Sequence, residues 1–171
     1  MEASDESTEW RHWFREHGPR LLLCARQWTR SAADAEDVVQ EAFVRYWRHQ
    51  RGLPGNPVAL LLTSIRRAAL DLARREGRRN ARELAAESGE DGAEFYFERL
   101  PGGDERHLAL ESALARLPAA QREVLVLKLW GELTFEEIGC QLAISPHTAA
   151  SRYRYALGAL RKELSPADCH G

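Results

Sequence analysis

Residues 134–164 read TFEEIGCQLAISPHTAASRYRYALGALRKEL, and this stretch decides how the second half of the chain folds. Thr134, followed three residues later by Glu137, forms a capping box, which predicts the start of a short helix. A three-residue turn ends at Ser145, a good N-cap, and Pro146 fits the first position of a longer helix. A short helix, a tight turn and a longer helix together predict a helix-turn-helix.

The longer helix of this pattern has two chemically different faces. Apolar residues recur at helical spacing and are predicted to face inward: Ala149, Tyr153, Ala156, Leu157 and Leu160. The outward positions, most of which can hydrogen-bond or carry positive charge, are His147, Thr148, Ala150, Ser151, Arg154 and Tyr155, with Arg152 at the flank. In a helix-turn-helix this face enters the major groove, so the pattern favours DNA binding over a plain helical hairpin with a solvated face.

The residues before the helix-turn-helix continue the helical pattern. Apolar residues recur at helical spacing from Leu108 to Leu117, stop at Pro118 and resume at Val124. We therefore expect a compact helical domain over residues 107–164.

In the first half of the chain apolar residues also recur at helical spacing, and no run alternates with the period of two that a half-buried strand would show. Ser31 opens a capping-box pattern, and the helix that follows is expected to end near His49. Asn56 is a good N-cap, and Pro57 fits the first position of the next helix. These helices predict a first domain over residues 8–80, and the fold class is all-α with two small helical domains.

Charge is sorted along the chain, although the formal net charge is only -2. Residues 66–79, where the second of these helices is expected to end, contain six arginines against two acidic residues. Residues 83–98 contain six acidic residues and no basic residue. With its glycines, the acidic run predicts a linker over residues 81–106, and we expect the aromatic residues 95–97 inside it to dock on a surface.

Composition and motifs exclude several classes of protein. A chain of 171 residues with 44% hydrophobic and 29% charged residues is typical of a globular protein. No apolar run is long enough to span a membrane and the N-terminus is acidic, so we expect no membrane insertion and a cytoplasmic location. Cys24, Cys140 and Cys169 lie far apart, which favours reduced thiols. No catalytic motif occurs, and Glu9 with His12 makes only one Glu-x-x-His pair, so no enzyme, cofactor or metal is predicted.

Two charged helical faces suggest binding surfaces. The arginines of residues 66–79 could follow a phosphate backbone over about 20 Å. Asp37, Gln40 and Glu41 lie on the polar side of the helix after Ser31, and their sign suits a basic protein surface rather than DNA. For each face, an ordinary solvated surface is the alternative.

Four motifs, in this order and at these separations, resemble those of bacterial RNA polymerase sigma factors of the extracytoplasmic-function group. They are residues 34–43 (DAEDVVQEAF), the helix from Asn56 and Pro57 to Arg66 and Asp71, residues 117–122, and the helix-turn-helix over residues 137–152. The resemblance covers nearly the whole chain outside the linker and the short ends.

The resemblance implies a transcription initiation factor that binds core RNA polymerase and directs it to promoters. The first domain would dock on the beta-prime clamp through Asp37, Gln40 and Glu41. The second domain would read the minus-35 element as duplex and contact the beta flap. The residues that the resemblance assigns to the minus-35 element are His147, Thr148, Ala150, Ser151, Arg152, Arg154 and Tyr155.

The first domain would also open the minus-10 element. The loop over residues 51–56 would capture a flipped base, and the arginine-rich helix would hold the phosphates of the separated strand. The residues assigned to the minus-10 element are Arg51, Asn56, Arg66, Arg67, Asp71, Arg74, Arg75 and Arg78. The acidic linker would lie in a positively charged channel of the polymerase.

The alternative function is a helix-turn-helix regulator with a helical sensor domain, which would bind duplex operator DNA without polymerase. The acidic face and the arginine run favour the initiation factor, since a regulator would show a ligand pocket or a dimer seam instead. The resemblance also raises an anti-sigma factor as a further partner, although no residue identifies one.

Overall fold

The computed structural model describes residues 2–84 and 105–165. Within these two ranges the chain forms seven α-helices and one π-helical turn, and no strand. The chain divides into two compact units, of which the first carries the helices up to residue 84 and the second those from residue 105. The all-α fold predicted from the sequence is confirmed.

The first unit contains α1 (Glu2–Arg26), α2 (Ala32–Arg45), the π-helical turn (Tyr46–Gln50) and α3 (Pro57–Leu84). Both predicted N-caps are present. The backbone N–H of Asp34 donates to Oγ of Ser31 (3.1 Å), and the backbone N–H of Val58 donates to Oδ1 of Asn56 (3.0 Å). Each bond satisfies an amide group that the start of a helix leaves without an intrahelical partner.

One apolar core joins α1, α2 and α3, because each of these helices packs on the other two. Its most deeply buried side chains include Leu21, Cys24, Leu61, Leu62 and Ile65. Burying each leucine or isoleucine contributes about 1.5–3 kcal/mol. The core therefore fixes the rotation of α2 and α3, which decides which of their polar residues reach the surface.

α3 is longer than the sequence predicted. The prediction that this helix ends near Arg79 is wrong, because the helix continues to Leu84. Residues 80–84 contain no proline or glycine that would stop it. Leu72 and Ala73, at helical spacing from the buried Ala69, are only half-buried. The aromatic residues 95–97, expected to dock on a surface, lie outside the described residues.

The helix that was predicted to end near His49 changes its geometry before that point. α2 ends at Arg45, and the π-helical turn that follows is closed by the backbone N–H of Arg51, which donates to the carbonyl oxygen of Tyr46 (2.9 Å). A π-helical turn is wider than an α-helical one, so it shifts the side chains away from the α-helical pattern. Tyr46 and Trp47, which lie in this turn, are half-buried against aromatic residues of α1.

The second unit contains α4 (Glu105–Arg116), α5 (Ala119–Leu129), α6 (Phe135–Leu142) and α7 (Pro146–Leu164). α7 is the central helix, because α4, α5 and α6 all pack against it. The buried core shared by α4, α5 and α7 consists of Ala113, Leu114, Leu117, Leu125, Ala156 and Leu160. α7 is therefore held on several sides, and its remaining side faces solvent.

The capping pattern predicted for the helix-turn-helix is confirmed at both helices. Oγ1 of Thr134 accepts from the backbone N–H of Glu137 (3.1 Å), whose carboxylate accepts from the backbone N–H of Thr134 (2.8 Å). Oγ of Ser145 accepts from the backbone N–H of Thr148 (3.0 Å). Between the helices, Ala143 has a φ of 54°, the left-handed conformation that reverses the chain in a short turn.

Candidate functional site

α7 presents the outward face that was predicted to contact DNA. Ala149 is fully buried and fixes the rotation of the helix. His147, Arg154 and Tyr155 are exposed, and 69% of the surface of Tyr155 is accessible. The other predicted residues of this face are partly exposed around them: Thr148, Ala150, Ser151 and Arg152. Nη2 of Arg154 donates to Oγ of Ser151 (3.4 Å), which directs a guanidinium capable of bidentate base contacts.

The packing of α6 against the turn depends on Gly139, whose role sequence reasoning missed. The backbone N–H of Ile144 donates to the carbonyl oxygen of Gly139 (3.0 Å) and closes the turn. A Cβ atom at Gly139 would lie 2.7 Å from the carbonyl oxygen of Ile144, which is too close for a non-bonded contact. The available signal was a glycine inside a helix that is otherwise well capped.

Contacts of Phe135 with α5 and α7, which were also not predicted from the sequence, stabilise the helix-turn-helix. The rings of Phe135 and Tyr153 meet edge to face with their centroids 5.7 Å apart. Nζ of Lys128 lies 4.6 Å from the centre of the Phe135 ring and donates to the carbonyl oxygen of Leu133 (3.1 Å). These contacts tie α6 to both α5 and α7, so they hold the outward face of α7 in a fixed orientation.

Asp37, Gln40 and Glu41 are all exposed on one side of α2. Glu41 pairs with Arg45 one turn later (N–O 3.5 Å), but such a surface pair contributes only about 0.3–0.5 kcal/mol and yields easily to a stronger partner. Val44, with 50% of its surface accessible, lies in the same shallow groove. This acidic face therefore offers carboxylate acceptors and an apolar contact to a basic protein surface, with Arg45, Arg48 and His49 lining the same groove.

A crevice between α2 and α3, here the α2–α3 crevice, joins this acidic face to part of the arginine run. Its volume is about 280 Å³. Asp37 and Glu41 line it from α2, and Arg67, Asp71 and Arg75 line it from α3. The residues predicted to bind polymerase and some of those predicted to bind the minus-10 element are therefore close neighbours.

The other residues predicted for the minus-10 element are spread along α3. Arg74 pairs with Asp71 (N–O 3.5 Å), Nε of Arg78 donates to the carbonyl oxygen of Arg74 (3.3 Å), and Arg66 is half-buried. Asn56 uses its side-chain oxygen to cap the helix. At 1.5 Å per residue, Asn56 and Arg78 are about 30 Å apart. The set forms a strip that can follow a strand, not a single pocket.

Arg51 lies in a different place, among aromatic residues. Its guanidinium is 4.7 Å from the centre of the Trp47 ring, and the same pocket is lined by Trp10 and Trp13 of α1. All three tryptophans are half-buried. The sequence did not predict this pocket.

Within residues 2–84 and 105–165, no group of three or more His, Cys, Asp or Glu side chains is placed to hold a metal ion. In the same ranges no helix combines the length and hydropathy needed to cross a membrane. Cys24 and Cys140 are free thiols, as predicted, and Cys169 lies outside the described residues. Burial raises the pKa of the Cys24 thiol to about 12, so it stays protonated and unreactive near neutral pH.

An all-helical chain with a helix-turn-helix that exposes guanidinium and hydroxyl groups belongs to the class of helix-turn-helix DNA-binding proteins. The family model for Sigma-70 region 2 matches residues 13–79, and that for Sigma-70, region 4 matches residues 107–160. The ECF RNA polymerase sigma factor SigK of Mycobacterium ulcerans is 33% identical over 140 residues, which cover 79% of this chain and 74% of the relative. SigL of Mycobacterium tuberculosis is 33% identical over 165 residues, which cover 95% of this chain and 92% of the relative. The chain belongs to the extracytoplasmic-function (ECF) RNA polymerase sigma factors.

A solved structure supports the fold. The sigma factor RpoE of Bartonella quintana, crystallised in complex with the anti-sigma factor NepR, matches with a TM-score of 0.69 and 23% identity, covering 91% of this chain and 96% of that chain. Family membership makes this chain a transcription initiation factor that directs RNA polymerase to promoters. It favours that function over the helix-turn-helix regulator.

Proposed function

We propose that the first domain, residues 8–80, docks on the beta-prime clamp of core RNA polymerase through Asp37, Gln40 and Glu41. The observation that carries this proposal is the shared exposed face of α2, where these three polar side chains stand beside the accessible Val44. A negatively charged face gains affinity and orientation from a basic partner surface. Family membership supplies the polymerase as that partner.

The same domain holds the separated minus-10 strand in this proposal. The loop over residues 51–56 captures a flipped base, and the strip along α3 binds phosphates. The residues concerned are Arg51, Asn56, Arg66, Arg67, Asp71, Arg74, Arg75 and Arg78. The length of the strip and the exposure of Arg67, Arg74, Arg75 and Arg78 support this assignment.

The second domain, residues 107–164, reads the minus-35 element with the outward face of α7 and contacts the flap of the beta subunit. His147, Thr148, Ala150, Ser151, Arg152, Arg154 and Tyr155 form the reading face. The burial of Ala149 on the opposite side of α7 supports this orientation. Residues 81–106 act as the linker between the two domains.

In this proposal the protein works in the cytoplasm with its polymerase and has no catalytic activity or cofactor of its own. An anti-sigma factor is proposed as a further partner, because the Bartonella quintana relative was crystallised with one. Such a partner would compete with polymerase for the acidic face of α2.

A gel-shift experiment on promoter DNA, with and without core polymerase, tests the function as a whole. We expect a specific complex only when the full chain and core polymerase are both present. A specific complex of the chain alone with duplex DNA would instead favour the helix-turn-helix regulator.

Charge reversal tests the docking face. Asp37→Lys with Glu41→Lys should weaken binding to core polymerase, and Asp37→Asn with Glu41→Gln, which brings no positive charge next to Arg67 and Arg75, should weaken it in the same direction while the melting temperature barely changes. Glu36→Lys is a control on the same helix, since Glu36 is an exposed carboxylate outside the groove that Asp37 and Glu41 line, in a neighbouring groove that shares only Gln40 with it. Equal co-purification of the double variant and wild type with core polymerase would refute this docking face.

A further inference from the structure

α1 and α2 of the first unit enclose an apolar groove with a volume of about 720 Å³, here the α1–α2 groove. Trp10, Phe14 and Leu22 line it from α1, and Val39 lines it from α2. Although Phe14 packs against Phe43, 42% of its surface stays accessible. The proposed contacts with polymerase and DNA use none of the four side chains that line the groove. An apolar group that covered them would be stabilised by the burial of apolar surface.

The rim of the α1–α2 groove carries more positive than negative charge. Arg11 and Arg15 are exposed one turn apart on α1, and Glu36 and Gln40 are exposed on the α2 side. Two guanidinium groups at this spacing attract carboxylates and form charge-assisted hydrogen bonds with them. The groove therefore fits a short apolar group that is flanked by acidic residues.

The chain itself contains a segment of this chemistry outside the described residues. Residues 94–98 read EFYFE, three consecutive aromatic residues between two glutamates, and residues 83–98 contain no basic residue. In an extended segment Phe95 and Phe97 point to the same side, so both rings can enter one groove. The two glutamates that flank them then reach the rim, where the two arginines lie.

The segment is long enough to reach the groove from the end of α3. Arg30, just after α1, pairs with Glu76 of α3 (N–O 3.7 Å), so the connection between α1 and α2 lies beside residue 76. From Glu76 to Leu84 the helix rises about 12 Å, and from Arg30 to Glu36 the chain covers about 13 Å. The stretch from Leu84 to Phe95 spans up to about 40 Å when extended, which is longer than the path through these residues.

We propose that in the free chain residues 94–98 dock in the α1–α2 groove, with the two phenylalanines inside it and the two glutamates at Arg11 and Arg15. The arginine strip along α3 would also attract acidic residues, but its exposed side chains are mainly charged and give aromatic rings little apolar surface to cover. Gln40 lines both the α1–α2 groove and the groove of the acidic face. The docked segment and polymerase therefore compete for α2, and this consequence, unlike the docking itself, rests on the proposed function.

Photo-crosslinking in the full chain tests the docking. Tyr96 is replaced by p-benzoyl-phenylalanine, which keeps an aromatic side chain, and mass spectrometry maps the residues that react with it. We expect crosslinks within one chain, mainly to residues that line the α1–α2 groove. The same probe at position 87 is the control, because this position lies in the linker but outside the aromatic segment. Phe95→Ser with Phe97→Ser should reduce the groove crosslinks to the level of that control.

The contribution of charge is tested with a matched pair of variants. Arg11→Glu with Arg15→Glu should lower the yield of groove crosslinks by about twofold or more, because two surface ion pairs are lost. Arg74→Glu with Arg78→Glu reverses two exposed arginines at the same spacing on α3 and should leave the yield unchanged. Thermal melting checks that each variant is folded.

Three results would overturn the docking. They are groove crosslinks no more frequent than those of the control probe, crosslinks that join two chains on a denaturing gel, and loss of the crosslinks in the α3 variant. The second result would assign the groove to another copy of the chain, and the third would place the segment on the arginine strip. All three are measured on the free chain, so none of them bears on the proposed function.

Adding core polymerase tests the competition separately. The yield of groove crosslinks should fall as polymerase binds. An unchanged yield in chains that co-purify with polymerase would overturn the competition and leave the docking in the free chain intact.

Discussion

Gly139 gives the sharpest test of how the helix-turn-helix is built. In most helix interiors, Gly→Ala stabilises a protein by about 1 kcal/mol because alanine has the higher helix propensity. At Gly139 the new Cβ would lie 2.7 Å from the backbone carbonyl oxygen of Ile144, and a backbone atom cannot move aside like the end of a side chain. Opening the turn also strains the hydrogen bond between the N–H of Ile144 and the carbonyl of Gly139 (3.0 Å). Overpacking of this kind costs about 1–3 kcal/mol, so after the gain in helix propensity we expect a net destabilisation of up to about 2 kcal/mol.

Gly158 is the matched control on α7. Nothing lies within 4 Å of a Cβ built there, so Gly158→Ala should stabilise the second unit by up to about 1 kcal/mol. For a unit of this size, 1 kcal/mol shifts the melting temperature by about 4–8 °C. Thermal melting of the full chain measures the stability of both variants. Hydrogen exchange of the amides in α6 and α7 shows which melting transition belongs to the second unit. If Gly139→Ala is as stable as Gly158→Ala, the close approach of α6 to the turn does not exclude a side chain at position 139.

Three further predictions concern DNA binding and pH. Arg154→Ala should reduce the discrimination between bases at one or two positions of the minus-35 element by about 1–3 kcal/mol of binding free energy. An unchanged consensus from a promoter library would show that Arg154 reads no base. Replacing Arg74, Arg75 and Arg78 by alanine should lower the salt slope of promoter binding by about one unit per lost phosphate contact, and an unaltered slope with intact polymerase binding would reject that role. Cys24 keeps its proton up to a pKa of about 12 in the folded chain, against 9.0 ordinarily, so its contribution to stability is complete below pH 9 and is lost between pH 9 and 12. Urea unfolding of wild type against Cys24→Ala over this range should show the difference between them shrinking as pH rises, and a constant difference would contradict it.

The sequence predicted those parts of the fold that depend on neighbouring residues. Ser31, Asn56, Thr134 and Ser145 all cap the helices expected of them, because an N-cap acts on amides two or three residues away. The buried Ala149 follows equally from local spacing. Helix positions, and hence the outward face of α7, were therefore readable from the sequence.

The features that were missed depend on distant contacts or on departures from α-helical geometry. The π-helical turn after Arg45 has no single residue that signals it, yet it places Trp47 against α1. The closeness of Asp37 to Arg67 follows from the packing of α2 on α3 through the core, which spacing along one helix does not reveal. The pocket that Arg51 shares with Trp10 and Trp13 likewise combines α1 with a loop some forty residues later.

The α2–α3 crevice limits how relatives of this chain can diverge. A change of charge at position 37 or 41 alters the potential at positions 67 and 75, because the four side chains line one small space. We therefore expect the effects of substitutions at these four positions to be coupled, so that a change of charge on one helix is best tolerated with an opposite change on the other.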